Sequence, residues 1–472
     1  MSAPETTTTI RTPSRWSLDA AVGATGADVV RRGTALEFSR VATDTRALRG
    51  GELFVALKGE QHDAHDFVAN AVAAGAAGVV VDRPIALPDG VDVTVLQVTD
   101  TLHALQSLAA DLRRRAAPCV LAVTGSNGKT TTKEMLAAIL EAAVGPAHVL
   151  KTHGNLNNLI GVPLTLLGLA GDERYAVIEM GMNAPGEIAR LTAITDPDVG
   201  LITNVGPAHL EGLGTVEGVA RAKGELFAHM RPAATAIVNA EDPHVSALGG
   251  AFPGRVVRFG TATDVSADAV TCDDRGAAAF RLHLGPTAID VRLQIPGRHN
   301  VLNALAAAAA ASAVGIGPSA IRAGLEAAVS VGSRMRVVTL GSGITVVDDS
   351  YNANPASVAA ALRSLAEAPA TRRIAVLGDM LELGAASVEQ HRAVGRLAGA
   401  AGLAALYVHG DFARETAAGA ASAMAPDAIH VGASHAAIAT ALAADAQRGD
   451  WVLVKGSRGQ RMEEVVRLLG AS

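Results

Sequence analysis

This chain has little cysteine and no extended run of basic residues. Its two cysteines, Cys119 and Cys272, are far apart in the 472-residue sequence. A disulfide framework is therefore not expected, and the reducing cytoplasm is the location that fits best. The formal net charge is -6, and with no basic run this argues against nucleic acid as the main partner.

The sequence also lacks a long apolar segment. Its N-terminus is polar, without a charged start followed by an apolar core, so we expect no signal peptide. The alanine-rich stretch 304–315 is too short to span a bilayer, and we expect no membrane insertion. Hydrophobic residues make up 49% of the chain, which is ample for the cores of about three domains.

A glycine-containing turn joins a short apolar strand, 119–123, to a helix, 130–142. In such a turn glycines let backbone N–H groups face an anion, and the helix N-terminus adds positive charge. The lysine reaches the terminal phosphates and a threonine hydroxyl holds Mg2+. The usual pattern has another glycine where this chain has Val123, so the loop is a variant. We predict that ATP is bound by Thr124, Gly125, Ser126, Asn127, Gly128, Lys129, Thr130 and Thr131.

The alternation of strands and helices predicts an α/β protein of three domains. Residues 1–15 are expected to form a disordered tail. A small α/β domain follows at 16–115, and a central domain with a mostly parallel sheet occupies 116–330. Residues 331–472 form a second α/β domain of nucleotide-binding type without its own phosphate loop. Ligands of such sheets gather at the carboxyl ends of the strands.

Two residues of the central domain are candidate metal ligands, and a lysine on a nearby helix is considered with them. Glu179 ends one predicted strand, so we predict that its carboxylate binds Mg2+ together with Thr130. His209 follows the next strand, and we predict that it makes a second metal contact. The alternative for Glu179 is a carboxylate that caps the next helix, and the alternative for His209 is a structural histidine. Lys223 lies on a predicted helix, 215–230, and its position alone indicates a solvated surface lysine.

Two asparagines, Asn300 and Asn303, are one helical turn apart on the same face. Their amides suit recognition of an adenine edge or a ribose, although capping and turn roles fit equally well. Asp349 and Asn352 close the first strand of the last domain, where polar side chains are placed to reach nucleotide phosphates.

Two short turns carry paired charges or cationic groups. Lys455, Ser457 and Arg458 follow the last strand and suit a carboxylate ligand, or form a solvated basic turn. The turn 44–46 precedes the predicted strand 53–57, and its aspartate and arginine are either a surface ion pair or part of a ligand site.

On these motifs, nearly the whole chain after the tail resembles the Mur ligases of peptidoglycan synthesis. The phosphate loop and the regions of Glu179, His209 and Asn300 are similar to those of the wider family, which includes folylpolyglutamate synthases. More selective segments resemble the type that adds D-alanyl-D-alanine to UDP-N-acetylmuramoyl-tripeptide; these are 154–163, 349–355 and 377–384. The chain has no Asp-Asn-Pro-Arg motif, which the diaminopimelate-adding enzymes carry.

The resemblance implies ATP-dependent ligation through an acyl phosphate, with Mg2+ as cofactor and ATP as co-substrate. It implies a uridine-recognition domain, a central P-loop ATPase domain and a C-terminal Rossmann-like ligase domain. Catalytic roles are implied for Lys129, Glu179, His209 and Lys223, the last because it aligns with a lysine that is carbamylated in related Mur ligases. Arg334 joins the implied ATP-binding residues. The implied substrate-binding residues are Asp44, Thr45, Arg46, Asn155, Asn157, Asn158, Lys455, Ser457 and Arg458.

Two other interpretations stay open. One is another amide-forming ligase of the same fold, a different Mur ligase or a folylpolyglutamate synthase, although the segment 44–59 argues against folate. The other is a P-loop ATPase that acts as a switch without an amine acceptor. Diaminopimelate and lysine are both compatible with the third position of the peptide, and a monomer is sufficient.

Overall fold

The computed structural model describes residues 15–59 and 61–470, so the predicted tail lies outside the described residues except for Arg15. The chain folds into two compact units. The first unit comprises Met1–Val120, Ala147–Met180 and Arg190–Pro197, and the second comprises Leu121–Pro146, Gly181–Ala189 and Asp198–Ser472.

The N-terminal part of the first unit is a small α/β fold. Its strands are β1 (Trp16–Ser17), β2 (Asp28–Arg31), β3 (Glu37–Phe38), β4 (Val41–Ala42), β5 (Leu53–Val55), β6 (Gly78–Val81) and β7 (Thr94–Gln97). Its helices are α1 (Leu18–Thr25), α2 (Val68–Ala73) and α3 (Thr101–Ala116). The sheet order is β2-β7-β6-β5-β4, parallel from β4 to β7 with β2 antiparallel. β6 is a continuous apolar run and is fully buried, as expected for an inner parallel strand.

The next part of the chain alternates strands with helices and then adds a meander. Its strands are β8 (Cys119–Thr124), β9 (Val149–Lys151), β10 (Tyr175–Glu179), β11 (Val199–Ile202), β12 (Thr235–Asn239), β13 (Arg255–Phe259), β14 (Val265–Cys272), β15 (Ala277–Leu284) and β16 (Thr287–Pro296). Its helices are α4 (Lys129–Val144), α5 (Gly161–Leu166), α6 (Glu187–Thr195), α7 (Leu210–Leu213), α8 (Val216–His229), α9 (Pro243–Gly250), α10 (Asn300–Ala313) and α11 (Pro318–Ala327).

Parallel pairing dominates these strands. In the first unit β9 pairs with β10. In the second unit β8, β11, β12, β13 and β14 are joined by parallel pairings. The strands β14, β15 and β16 are antiparallel, an addition that the strand-helix alternation did not predict. Exposed and buried residues alternate along β16, as in a sheet with one solvated face.

The alanine-rich stretch forms a buried helix of the second unit. Every residue of α10 from Ala304 to Ala311 is buried, and α10 packs on α4, the helix that follows the phosphate loop. The small alanine side chains of α10 allow the neighbouring elements to pack close to its backbone. At Gly324 of α11, an added Cβ would lie 2.2 Å from the α-carbon of Ile139 in α4. Within the described ranges, no helix is long and apolar enough to cross a membrane.

The C-terminal part of the chain is another α/β fold, with helices packed on both faces of a mostly parallel sheet. Its strands are β17 (Arg336–Thr339), β18 (Thr345–Asp349), β19 (Arg373–Leu377), β20 (Ala405–Val408), β21 (Ile429–Val431) and β22 (Trp451–Lys455). Its helices are α12 (Pro355–Ala366), α13 (Ser387–Ala400), α14 (Ala413–Ala420), α15 (His435–Asp445) and α16 (Glu463–Gly470). The sheet order is β17-β18-β22-β19-β20-β21, and only β17 pairs antiparallel. Separate apolar clusters with α12–α14 and with α15–α16 confirm the predicted α/β class.

A buried carboxylate, Asp450, ties together the start of β22 and the loop before β19. The Arg372 guanidinium donates to both of its oxygens, at 3.2 and 2.7 Å, and the Gln447 N–H donates at 2.7 Å. Asp450 is 0% exposed, so its charge depends on these partners.

We predict that Asp450→Asn lowers the free energy of unfolding of the C-terminal domain by about 3 kcal/mol, because it breaks a buried ion pair. Urea unfolding followed by circular dichroism measures it. Glu389→Gln in the same domain is the matched control: it removes a 2.7 Å pair with Arg396 whose side chains are both at least half exposed, and it should cost below about 1 kcal/mol. Equal losses in the two variants would contradict the prediction.

Candidate active site

The phosphate loop lies between β8 and α4 in the second unit. Gly125 and Gly128 have φ of 151° and 79°, which side chains rarely adopt. A Cβ on Gly125 would lie 1.8 Å from Thr203 Oγ1, and one on Gly128 would lie 2.3 Å from Asn303 Oδ1. Both positions therefore require glycine for space as well as for conformation.

Asn127, at the tip of the loop, is held on its backbone by the loop after β11. Its N–H donates to Asn204 Oδ1 at 2.9 Å, and its carbonyl accepts from Thr203 Oγ1 at 2.6 Å and from Asn204 Nδ2 at 3.1 Å. Ser126 is fixed similarly, since its hydroxyl donates to the Gly206 carbonyl at 3.1 Å. The loop conformation is thus set by neighbours on another strand end.

The groups expected to face phosphates begin α4. Lys129 Nζ donates to the Gly125 carbonyl at 2.6 Å, so the ammonium lies over the loop. Thr130 is buried in the first turn of the helix, and Thr131 follows it there. Backbone N–H groups of this first turn and the cationic side chain provide an anion site.

We predict that Gly128→Ala weakens ATP binding by at least about tenfold, because the new Cβ would displace the loop or Asn303. Titration calorimetry with a non-hydrolysable ATP analogue measures it. Gly145→Ala is the matched control: Gly145 ends the same helix with φ 89°, and a Cβ there meets nothing within 4 Å. Unchanged affinity in Gly128→Ala would show that the loop does not bind the nucleotide.

Lys223 differs from its expected place on a solvated helix face. The expectation was wrong: the side chain lies on the inner face of α8 and is 1% exposed. Burial, and then the like charge of Lys129, hold the pKa of Lys223 well below its usual value. Its Nζ makes no hydrogen bond or ion pair with a residue in the described ranges. Burial in this position therefore favours the uncharged form of the amine.

His209 is approached by a carboxylate from the C-terminal domain. Its Nδ1 lies 2.7 Å from Glu382 Oε2, yet this buried nitrogen has no hydrogen bond of acceptable geometry. The Glu211 N–H also donates to the Glu382 carbonyl at 3.1 Å. The contact with His209 keeps the pKa of Glu382 below its usual value, so a carboxylate stands beside the imidazole. Glu382 lies in the segment 377–384 but was not predicted as a site residue.

The two asparagines at the start of α10 use their amides within the protein. Asn300 Nδ2 donates to the Pro296 carbonyl at 2.7 Å, and Asn303 Nδ2 donates to Asn300 Oδ1 at 2.8 Å. Asn303 Oδ1 in turn lies against Gly128 of the phosphate loop. The pair therefore supports the turn and the loop, in addition to any contact with a nucleotide.

Asp349 and Lys455, for which we predicted different ligands, form one ion pair. Lys455 Nζ lies 2.6 Å from Asp349 Oδ2 and donates to the Asn352 carbonyl at 2.8 Å. The Arg334 guanidinium stacks over the Tyr351 ring at 3.5 Å, a cation–π contact. The ends of β18 and β22 thus bring these predicted nucleotide and substrate residues together.

The turn after β22 is part buried and part exposed. Ser457 is buried, and its hydroxyl donates to the Ala353 carbonyl at 3.1 Å. Arg458 is exposed; its guanidinium pairs with Glu463 at 3.2 Å and lies 5.7 Å from the Tyr351 ring. Of the three predicted residues of this turn, Arg458 is the one whose side chain is exposed to solvent.

In the first unit, Glu179 is buried at the end of β10. Its Oε1 accepts from Asn157 Nδ2 at 2.8 Å, and its backbone N–H donates to Thr152 Oγ1 at 3.0 Å. Asn158 Oδ1 accepts from the N–H of Gly161, at the start of α5, and Asn155 is exposed in the same loop. The segment 154–163 therefore positions the glutamate.

The turn 44–46 presents an exposed ion pair. Arg46 and Asp44 are 2.7 Å apart, with the arginine side chain 89% exposed, and Thr45 lies between them. The arginine holds the pKa of Asp44 below its usual value. This is the geometry of the surface pair that we considered, and it leaves the guanidinium face open to a ligand.

In the described part of the chain, no group of three or more histidine, cysteine, aspartate or glutamate side chains is arranged so that it could hold a metal ion by itself. The second unit nevertheless offers donors that suit a hard cation near the phosphate loop: the hydroxyl of Thr130 and the imidazole of His209, whose buried Nδ1 makes no hydrogen bond. Such a site takes its remaining oxygen ligands from phosphates and water.

Comparison with protein families gives three matches in chain order. The Mur ligase family catalytic domain matches residues 37–113, the Mur ligase middle domain 123–311, and the Mur ligase glutamate ligase domain 333–458.

Individual relatives match along almost their whole length. A UDP-N-acetylmuramoyl-tripeptide–D-alanyl-D-alanine ligase of Escherichia coli is 42% identical, over 93% of this chain and 95% of its own. A crystal structure of MurF from Acinetobacter baumannii has a TM-score of 0.91 at 35% identity and covers 98% of this chain and 100% of its own. The MurF ligase of Thermotoga maritima in complex with ADP has a TM-score of 0.81 at 29% identity and covers 92% of this chain and 97% of its own. The chain belongs to the Mur ligase family.

Proposed function

We propose that this enzyme joins D-alanyl-D-alanine to UDP-N-acetylmuramoyl-tripeptide in an ATP-dependent reaction. The observation that carries the proposal is the 42% identity to a ligase of that name over 93% of the chain. The phosphate loop, with two glycines at positions that leave no room for a side chain, supports the proposal because such a ligase needs an ATP site. We place the reaction in the cytoplasm and expect a monomer to carry it out.

The reaction has two steps. A terminal carboxylate oxygen of the tripeptide attacks the γ-phosphorus of ATP, the β–γ phosphoanhydride bond breaks, and ADP and an acyl phosphate form. The amine of D-alanyl-D-alanine then attacks the acyl carbon, and the C–O bond to phosphate breaks as the amide forms. The amine loses a proton in this step.

The loop residues bind the phosphates of ATP. Lys129 and the N–H groups at the start of α4 neutralise charge on the β- and γ-phosphates as the phosphoryl group is transferred. Asn300, Asn303, Arg334, Asp349 and Asn352 are our candidates for holding adenosine. Because the loop is braced by Thr203 and Asn204, it does not need to reorganise during transfer.

We propose Thr130, Glu179 and His209 as ligands of Mg2+. When bound, Mg2+ neutralises phosphate oxygens and orients the substrate carboxylate beside the γ-phosphate. The hydroxyl, carboxylate and imidazole of these residues are donors that such a cation accepts.

We propose that Lys223 carries a carbamate. The uncharged form of its amine, which burial favours, attacks CO2; the N–C bond forms as one C–O π bond opens, a proton is lost from nitrogen, and the side chain ends as a carboxylate-like anion. This exchange removes the repulsion from Lys129 and gives Lys223 a charge opposite to that of the nearby cations.

Substitution of Lys223 tests the carbamate directly. Lys223→Arg keeps a cation that does not form a carbamate, and Lys223→Ala removes the group; we expect both to lower kcat by about 100-fold. Carbon-13 NMR with labelled bicarbonate should show a carbamate signal in the unsubstituted protein that is absent in both variants. Full activity in Lys223→Ala, or no such signal at any bicarbonate concentration, would contradict the assignment.

The amine substrate is expected to bind at the C-terminal domain. Lys455, Ser457 and Arg458 lie on the turn after β22, and the exposed Arg458 guanidinium suits the carboxylate of the incoming dipeptide. Asp44, Thr45 and Arg46, and the loop asparagines Asn155, Asn157 and Asn158, are candidates for the nucleotide-linked tripeptide.

Phosphate release decides between ligation and the alternatives. The protein receives ATP and Mg2+ with the tripeptide, with D-alanyl-D-alanine, or with both. We expect release only with both, together with a pentapeptide product identified by mass. Release with neither would indicate an ATPase switch, and release only with a different amino acid would indicate another ligase of the family.

A further inference from the structure

Asn354 has a side chain with two partners in different parts of the second unit. It is the N-cap of α12: its Oδ1 accepts from the Ser357 N–H at 2.9 Å, and its own N–H donates to Ser357 Oγ at 3.0 Å. Its Nδ2 donates to Asn127 Oδ1 at 2.7 Å. The capping box fixes the amide group so that its donor faces the phosphate loop.

Asn127 is therefore held from two sides. Thr203 and Asn204, after β11, fix its backbone. Its side chain is fixed by Asn354, which is 227 positions further along the chain. The first restraint belongs to the sheet that bears the loop, and the second comes from the helix that follows β18.

We propose that Asn354 is a positioning residue for the ligation reaction. By binding the Asn127 side chain, it holds the tip of the phosphate loop in one arrangement while the C-terminal domain lies against it. The inference rests on the proposed function, because it concerns the rate of phosphoryl transfer and amide formation. Asn354 acts through Asn127 and does not itself touch the reacting atoms.

A second contact supports a coupling between this domain and the phosphate site. Glu382, in the loop after β19, lies 2.7 Å from His209 Nδ1. Two loops at the carboxyl ends of C-terminal strands, β18 and β19, thus reach residues beside the predicted phosphate and metal sites. The C-terminal domain, which we propose binds the amine substrate, is in this way connected to the phosphate loop and to His209, which we propose act on the carboxylate of the tripeptide.

Asn354→Ser separates the two functions of the side chain. Serine caps a helix as well as asparagine does, but its hydroxyl is too short to reach Asn127. We expect kcat to fall about tenfold, as for loss of one hydrogen bond that orients a reacting group, with the thermal unfolding midpoint unchanged. Asn127→Ala leaves the α12 cap intact and should lower kcat similarly.

The double variant Asn354→Ser/Asn127→Ala tests whether the two residues act as one pair. If they do, the double variant is no slower than the slower single variant. Multiplicative losses, or an unchanged kcat in Asn354→Ser, would overturn the inference.

Ser434→Ala is the matched control for loss of a helix cap. Ser434 caps α15 in the same domain, where its Oγ accepts from the Ala437 N–H at 3.1 Å, and it has no contact with the phosphate loop in the described structure. We expect a lower unfolding midpoint and unchanged kcat; a fall in kcat like that of Asn354→Ser would overturn the inference. If the unsubstituted protein fails to ligate, the proposed function fails; if it ligates and Asn354→Ser is equally fast, only this inference fails.

Discussion

The close fit around the phosphate loop is the constraint on which the site depends. Thr203 and Asn303 occupy the space that side chains at positions 125 and 128 would need, so the loop backbone is enclosed by its neighbours. These contacts require β8 and β11 to be adjacent and α10 to pack on α4. The buried alanines of α10 permit that packing, because larger side chains would move Asn303 away from the loop. The composition of a helix outside the motif thus determines the geometry of the motif.

A second constraint is electrostatic. A fully buried lysine without a partner costs free energy in its charged form, and Lys129, which we propose binds the phosphates, adds repulsion. The neutral amine avoids this cost and is the form that reacts with CO2. The same burial that is unfavourable for a charged lysine is therefore the condition under which it can become an anionic group.

Sequence patterns predicted the sheets well but not every contact. The strands predicted at 119–123 and 53–57 were found, at Cys119–Thr124 and Leu53–Val55, because buried parallel strands are uninterrupted apolar runs. The antiparallel strands β14–β16 were missed, although their alternating pattern is visible in the sequence. Lys223 was misplaced by local reasoning because burial depends on what packs against the helix. Asn354 and Glu382 gain their partners through contacts between residues distant in sequence, which spacing does not reveal.

The central claim is that this site activates a carboxylate by phosphorylation, and isotope transfer tests it most directly. The tripeptide is labelled with oxygen-18 in its terminal carboxylate and ligated with unlabelled ATP and D-alanyl-D-alanine in ordinary water. Mass spectrometry of the released phosphate should show one labelled oxygen per product formed. The labelled oxygen bridges carbon and phosphorus in the acyl phosphate, and it leaves with phosphate when the amine breaks its bond to carbon. Phosphate without the label, formed alongside product, would contradict an acyl phosphate and with it this account of the site.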